Sequence, residues 1–261
     1  MENYVLTDVW CDDHRGNKRR NSLNIYHNRR KTDSRMRFDI MTLFPEMIRQ
    51  TMSYSIVGRA CEKRLIQIYA HDIRDYSEDK HRRVDDTPCG GGKGMLMSVP
   101  PIDRCYQYVK SLSDTGNCRT VYMSPQGRVL NQKVVRELAG YDRLIILCGH
   151  YEGVDRRAVE LICDDEISVG DYVLTGGELA ACILVDSVSR LIKGVLSDEE
   201  CHEKESFSDG ILEYPQYTRP VTYKGMSVPE VLLSGDHRKI EEWRREAAYK
   251  LTEKNRPDLL K

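Results

Sequence analysis

The sequence predicts an α/β fold built on a parallel sheet, followed by a small helical unit at its C-terminal end. Three observations predict it. Short apolar runs alternate with stretches of helical spacing between residues 37 and 192, and that alternation makes consecutive strands parallel with helices on both faces. Glycine-bearing segments follow several of the apolar runs, as expected where one edge of such a sheet holds a ligand. Beyond residue 197 the pattern changes to a polar acidic stretch, a proline-punctuated section and one charged amphipathic run.

Residues 1–36 show no hydrophobic periodicity and read as a flexible basic extension, residues 1–37 holding nine Lys/Arg against five Asp/Glu. Arg37–Phe44 alternates as a strand does, and Pro45 suits the first turn of a helix reaching Arg59. Leu65–Ala70 is a second strand. Residues 71–98 form a long polar stretch ending in Cys89-Gly90-Gly91-Gly92-Lys93-Gly94-Met95; connections of that length usually carry function. Ile102–Leu112 is helical, Arg119–Met123 a strand, Asn131–Leu138 helical, Arg143–Cys148 a buried strand and Asp155–Ile162 a helix. Glu178–Ile192 and Asp236–Leu251 complete the helices. The resulting organisation is an extension (1–36), a cofactor-binding domain (37–196), a linker (197–212) and a C-terminal helical domain (213–261).

Composition bounds the function classes. Hydrophobic residues make up 40% and charged residues 31%, which suits a folded core. No apolar run approaches the roughly 18–20 residues that span a bilayer, and the first residues hold no secretory core, so a cytoplasmic protein without a membrane partner is expected. Nine cysteines, odd in number and without a CxxC pair, argue against a disulfide framework or zinc site and for buried free thiols. A net charge of −1 means that any nucleic-acid surface must be a local patch.

The segment Ile167–Glu178 is the most informative stretch: three glycines, two carboxylates and a tyrosine lie between an apolar strand and an apolar helix. Ser124-Pro125-Gln126-Gly127 and Gly149-His150-Tyr151-Glu152-Gly153 also follow strands, so three glycine-containing turns converge on one sheet edge. Nucleotide phosphates fit poorly. A P-loop ending at Gly92-Lys93 would need glycine where Thr87 stands and a hydroxyl where Gly94 stands, and the dinucleotide fingerprint meets Met95 or Met97 at its last glycine.

The ordered set Phe44-Pro45-Glu46, Asp85-Asp86-Thr87-Pro88 with Gly90–Met95, Ser124–Gly127, Gly149–Asp155, Ile167–Glu178, Asp186-Ser187-Val188-Ser189-Arg190 and Tyr217-Thr218-Arg219-Pro220 closely resembles the bacterial tRNA (guanine-N1)-methyltransferase family, over about residues 37–261. The resemblance implies a SPOUT-class fold, with S-adenosyl-L-methionine held in a deep trefoil knot, and a homodimer with active sites between subunits. It implies methylation of tRNA guanosine at position 37, just 3′ of the anticodon. Carried over by motif, the cofactor-binding residues are Tyr122, Ser124, Pro125, Gln126, Gly127, Gly149, Tyr151, Gly153, Val169, Gly170, Asp171, Tyr172, Val173, Leu174, Gly176 and Gly177. The catalytic residues are Glu205, Arg190 and Glu152.

Where the family has an aspartate base in an Asp-Ser-Phe context, this chain reads Glu205-Ser206-Phe207, so Glu205 is the expected base, with Glu203 and Asp209 as neighbouring alternatives. Taken without the resemblance, Arg190 reads as a partner for Asp186 one helical turn earlier, and Glu152 and Asp155 as carboxylates favoured near a helix N-terminus. The family chemistry also implies a divalent ion, usually magnesium. The sequence holds no dedicated cage for one, leaving Glu152, Glu205 and the cofactor carboxylate as its ligands.

Overall fold

The computed structural model describes residues 9–12, 18–21, 36–113, 116–197 and 205–261. The chain divides into two compact units, Met1–Asp33 and Ser34–Lys261. In the first, β1 (Val9–Asp12) pairs antiparallel with β2 (Lys18–Asn21), an element that the lack of periodicity there did not foretell.

The second unit is built on five parallel strands. These are β3 (Met36–Thr42), β4 (Ile66–Asp72), β7 (Cys118–Val129), β8 (Arg143–Cys148) and β9 (Asp165–Ser168), in the order β4-β3-β8-β7-β9. Between β4 and β7 the short strands β5 (Asp85–Asp86) and β6 (Leu96–Met97) pair with each other. The helices are α1 (Pro45–Met52), α2 (Ser55–Glu62), α3 (Val99–Ser111), α4 (Gln132–Leu138), α5 (Arg156–Ile162), α6 (Glu178–Ser189) and α7 (His237–Asn255). A small hairpin of β10 (Thr222–Tyr223) and β11 (Met226–Ser227) precedes α7.

Both faces of the sheet are covered, as the alternation requires. Successive side chains of a strand point to opposite faces. Phe38, Ile40, Leu144 and Ile146 therefore pack with α1, α2, α4 and α6, while Met41, Ile145 and Leu147 pack with α3 and α5. The β3 residue Asp39 breaks this apolar pattern. It is fully buried and accepts bonds from Arg143 Nε at 2.7 Å, Arg37 Nη2 at 2.8 Å and Nε at 2.7 Å, and meets His71 Nε2 at 2.8 Å.

Several element boundaries differ from expectation for identifiable reasons. The single helix expected from Pro45 to Arg59 is two, broken at Ser53–Tyr54, where Ser55 takes φ +58°. Asn131 and Asp155 stand outside their helices as N-caps, each side chain accepting from the backbone two or three residues on. Ser124–Gly127 is no turn beyond a strand: β7 runs on to Val129. Ile167 of β9 pairs with both Met123 and Arg128, so the four residues between them bulge out of the ladder.

Candidate active site

The bulge of β7, the end of β8 and the loop after β9 meet at the C-terminal edge of the sheet and enclose a cleft of about 230 Å³. Each wall is shaped by its own sequence. In the bulge, Pro125 has no N–H to give a ladder, and the Gln126 amide bonds instead to Ser124 Oγ at 3.1 Å. Behind it, a Cβ on Gly127 would sit 2.3 Å from the Glu166 backbone, so this glycine permits two strands to touch.

The second wall is Gly149–Gly153, which turns on a bond from the Gly153 amide to the His150 carbonyl, with Tyr151 at φ +61°. It is stitched to the glycine-rich loop: the Glu152 amide bonds to Met95 O at 3.0 Å and the Met97 amide to Gly153 O at 2.9 Å. Gly94 lies directly against Glu152, a Cβ there falling 2.3 Å from its Cγ. The third wall, Val169–Gly177, is held by Ser168, whose hydroxyl donates to Gly170 O and accepts from the Gly170 amide. Its end threads back to the second wall, because Gly177 N–H bonds to Gly149 O at 2.8 Å and a Cβ on Gly177 would meet Cys148 Cα at 2.8 Å.

Of the residues expected from sequence, the cleft gathers Tyr122 with Ser124, Pro125 and Gln126 from the first wall, and Gly149, Tyr151, Glu152 and Gly153 from the second. From the third it gathers Val169, Gly170, Tyr172, Val173, Leu174, Gly176 and Gly177. Two do not line it. Gly127 faces β9, and Asp171 is exposed on the outer side of its loop. Burial, with Glu166 and Cys163 near, pushes the Tyr122 phenol up to about 12, so it is a neutral hydroxyl near pH 7. His150 escaped the sequence reading although it stood inside a quoted motif. It lines the cleft, its Nδ1 is buried without a hydrogen bond, and its ring packs on Phe44 with centroids 5.0 Å apart.

Arg190 and Glu205 are brought together, but elsewhere. Arg190 caps the C-terminal end of α6, and its Nη2 donates to Glu205 Oε1 at 2.5 Å, with both side chains about one-third exposed. Glu205 and Asp209 share the lining of a hollow against α7 with Tyr214 and Arg244; Glu203 falls outside the described residues. Helix α6 begins at Gly177 in the cleft and has 12 residues, so its other end lies roughly 18 Å away. The following chain confirms the direction, Gly194 resting on Leu65 before the first residue of β4. The cleft and the Arg190–Glu205 pair thus occupy opposite edges of the sheet.

Among the described residues no group of three or more His, Cys, Asp or Glu could hold a metal ion, and no helix is long and apolar enough to cross a membrane. Burial raises the thiols of Cys61 and Cys182 to about 11 and that of Cys163 to about 12, which makes them inert; Cys89, in the glycine-rich loop, is exposed.

A family model described as tRNA (Guanine-1)-methyltransferase TrmD matches residues 36–261. The chain is 52% identical over 226 residues to a tRNA (guanine-N(1)-)-methyltransferase of Clostridioides difficile, covering 87% of this chain and 98% of that relative. To those of Lachnospira eligens and Ruminiclostridium cellulolyticum it is 55% and 54% identical, covering 86% of this chain and 94% and 96% of theirs. The glycine-walled cleft thus sits in a sequence whose likeness runs through every element from β3 to α7, and the chain belongs to the tRNA (guanine-1)-methyltransferase family and is an enzyme of that class.

Proposed function

We propose that this enzyme methylates N1 of the tRNA guanosine just 3′ of the anticodon, position 37, using S-adenosyl-L-methionine, and that it works in the cytoplasm as a homodimer. One observation carries the chemistry. The Arg190–Glu205 pair sets a guanidinium donor beside a carboxylate acceptor. The N1–H and O6 edge of guanine offers the opposite pattern, a donor beside an acceptor.

The cleft fits the cofactor. Tyr122, Val173 and Leu174 supply apolar surface, Gly149, Gly170, Gly176 and Gly177 leave backbone groups within reach, and Glu152 offers a carboxylate. When bound, S-adenosyl-L-methionine supplies an electrophilic methyl on a sulfonium. With the methyl donor bound, Glu205 would accept the N1 proton of guanine, a contribution of roughly 10²–10⁴-fold. Arg190 donates to O6, where negative charge develops, and Glu152 orients the reacting groups at the cleft. The described donors do not form a magnesium cage.

The length of α6 supports two subunits. One α6 separates its own cleft from its own Arg190 by roughly 18 Å, so a complete site combines the cleft of one protomer with the Arg190–Glu205 pair of its partner. The outward stripe of α6 supports such an interface: Leu179 and Ile183 are 47% and 46% exposed on the face that ends at Arg190, with Phe44 and Met47 of neighbouring α1 also exposed. The tight passage of Gly127 past Glu166 and of Gly177 past Cys148 supports a trefoil knot here. The 197–212 linker leads to a C-terminal domain in which α7 bonds back to Leu212 through Thr252 and sets Trp243 beside Tyr217. We assign that domain to tRNA binding.

The test is methyl transfer to a tRNA transcript with the product mapped to one base. Methylation of N1 at that guanosine, lost when the base is replaced, is expected. Product at another base, or cofactor binding without product, would overturn the reading.

A further inference from the structure

A second cavity, of about 330 Å³, opens between α2 and the chain leaving α6. Its floor is apolar, from Ile56, Ala60, Leu65, Val195 and Leu196, and among the described residues its charged lining is Arg59 and Lys63. These two side chains are four residues apart on one helix and therefore share a face.

Arg37, Arg128, Arg143, Arg156 and Arg157 each hold a carboxylate. Arg59 and Lys63 are exposed and, among the described residues, their side chains make no ion pair or hydrogen bond. Arg64 adds a third exposed cation beside them, while Glu62 does not reach the cavity wall.

We propose that this cavity binds a phosphate of the RNA backbone flanking the nucleotide that is methylated. The inference rests on the proposed function and extends it. An arginine and a lysine on one cavity wall match a phosphodiester, the arginine through its fork and the lysine as a point charge. Placement agrees: the wall residue Gly194 lies four positions after Arg190, so both groups sit at the same edge of the sheet. A guanine held by Arg190 and Glu205 brings its neighbouring phosphates to that edge.

The experiment uses the full chain and the double variant Arg59→Gln/Lys63→Gln, since glutamine preserves helix propensity while removing charge. Anisotropy of a fluorescent tRNA transcript is measured across a sodium chloride series. Each lost phosphate contact removes roughly 0.7–0.9 from the slope of log affinity against log salt, so the variant, losing one, should be shallower by about that amount. Its Kd should rise about tenfold at moderate salt, its KM for tRNA should rise in parallel, and its kcat and cofactor affinity should match wild type. An unchanged slope and Kd in a variant that binds cofactor overturns the site. Failure of the wild-type chain to methylate the transcript would instead overturn the function, a separate result read on a different protein. Should the double variant lose cofactor binding, Lys63→Gln alone decides, with a shallower slope expected and an unchanged one overturning the proposal.

Discussion

The two ends of α6 solve different problems with different parts of the chain. At its N-terminal end the cleft is made mainly of backbone: a bulge forced by Pro125, a turn at Gly149–Gly153, and a loop whose glycine threads against Cys148. At its C-terminal end the pair is made of two side chains, Arg190 and Glu205, both partly open to solvent. The first end is rigid and complete within one chain. The second is not, since a solvent-exposed ion pair contributes little by itself and becomes chemically useful only when a base and a methyl donor are brought to it. On the proposed reading, binding is built into the fold, and reactivity is assembled between copies of it.

The largest expected effect breaks that comparison at its reactive end. Glu205→Gln should lower kcat by roughly 10²–10⁴-fold with cofactor affinity unchanged in calorimetric titration. A turnover near wild type would move the base to Asp209, which shares the same hollow. Next comes Arg190→Ala, expected to cost roughly 10²–10³-fold, again with the cleft intact. Mixed dimers sharpen the point: an Arg190→Ala subunit paired with a cleft-defective Gly177→Ala subunit retains one unmutated site only if cleft and arginine come from different chains. Recovered activity in co-purified heterodimers would support that geometry. Complete inactivity would place the working site within one protomer.

What the sequence made legible follows the same division. The parallel sheet was readable because buried strands such as Arg143–Cys148 and amphipathic helices such as α3 differ in periodicity. The cleft was readable because glycine marks the places where backbones approach, and most glycines singled out are there. Gly127 lies against β9 and not in the cleft lining, and a glycine between touching strands looks the same in sequence as one beside a ligand. The break between α1 and α2 was missed because Ser53–Tyr54 carries no proline or glycine, and Ser55 at φ +58° is set by packing. That Arg190 would lie across the sheet from the cleft could not be read from spacing, which says nothing of which edge a helix ends on.

The smallest expected effect on turnover comes from a residue that serves both ends equally. Asp39 sits in β3, between β4 and β8, where burial would raise its carboxyl, yet hydrogen bonds from His71 and Arg37 outweigh this and hold it well below the usual carboxylate range. Arg143, 1% exposed, bonds to it and to the carbonyls of Ser113 and Val109. Asp39→Asn leaves that guanidinium without its charge partner and should destabilise the fold by about 3–5 kcal/mol in denaturant titration. Turnover at low temperature should change little, because neither the cleft nor Arg190 touches Asp39. The sign with pH follows from the depressed value. The contribution is complete above the unfolded carboxyl's range, about pH 4, and is lost as pH falls further toward the folded value. Between about pH 4 and about pH 2 the wild type should therefore lose stability more steeply than Asp39→Asn. Parallel acid limbs would show that this carboxylate is not the charge on which the central strands depend.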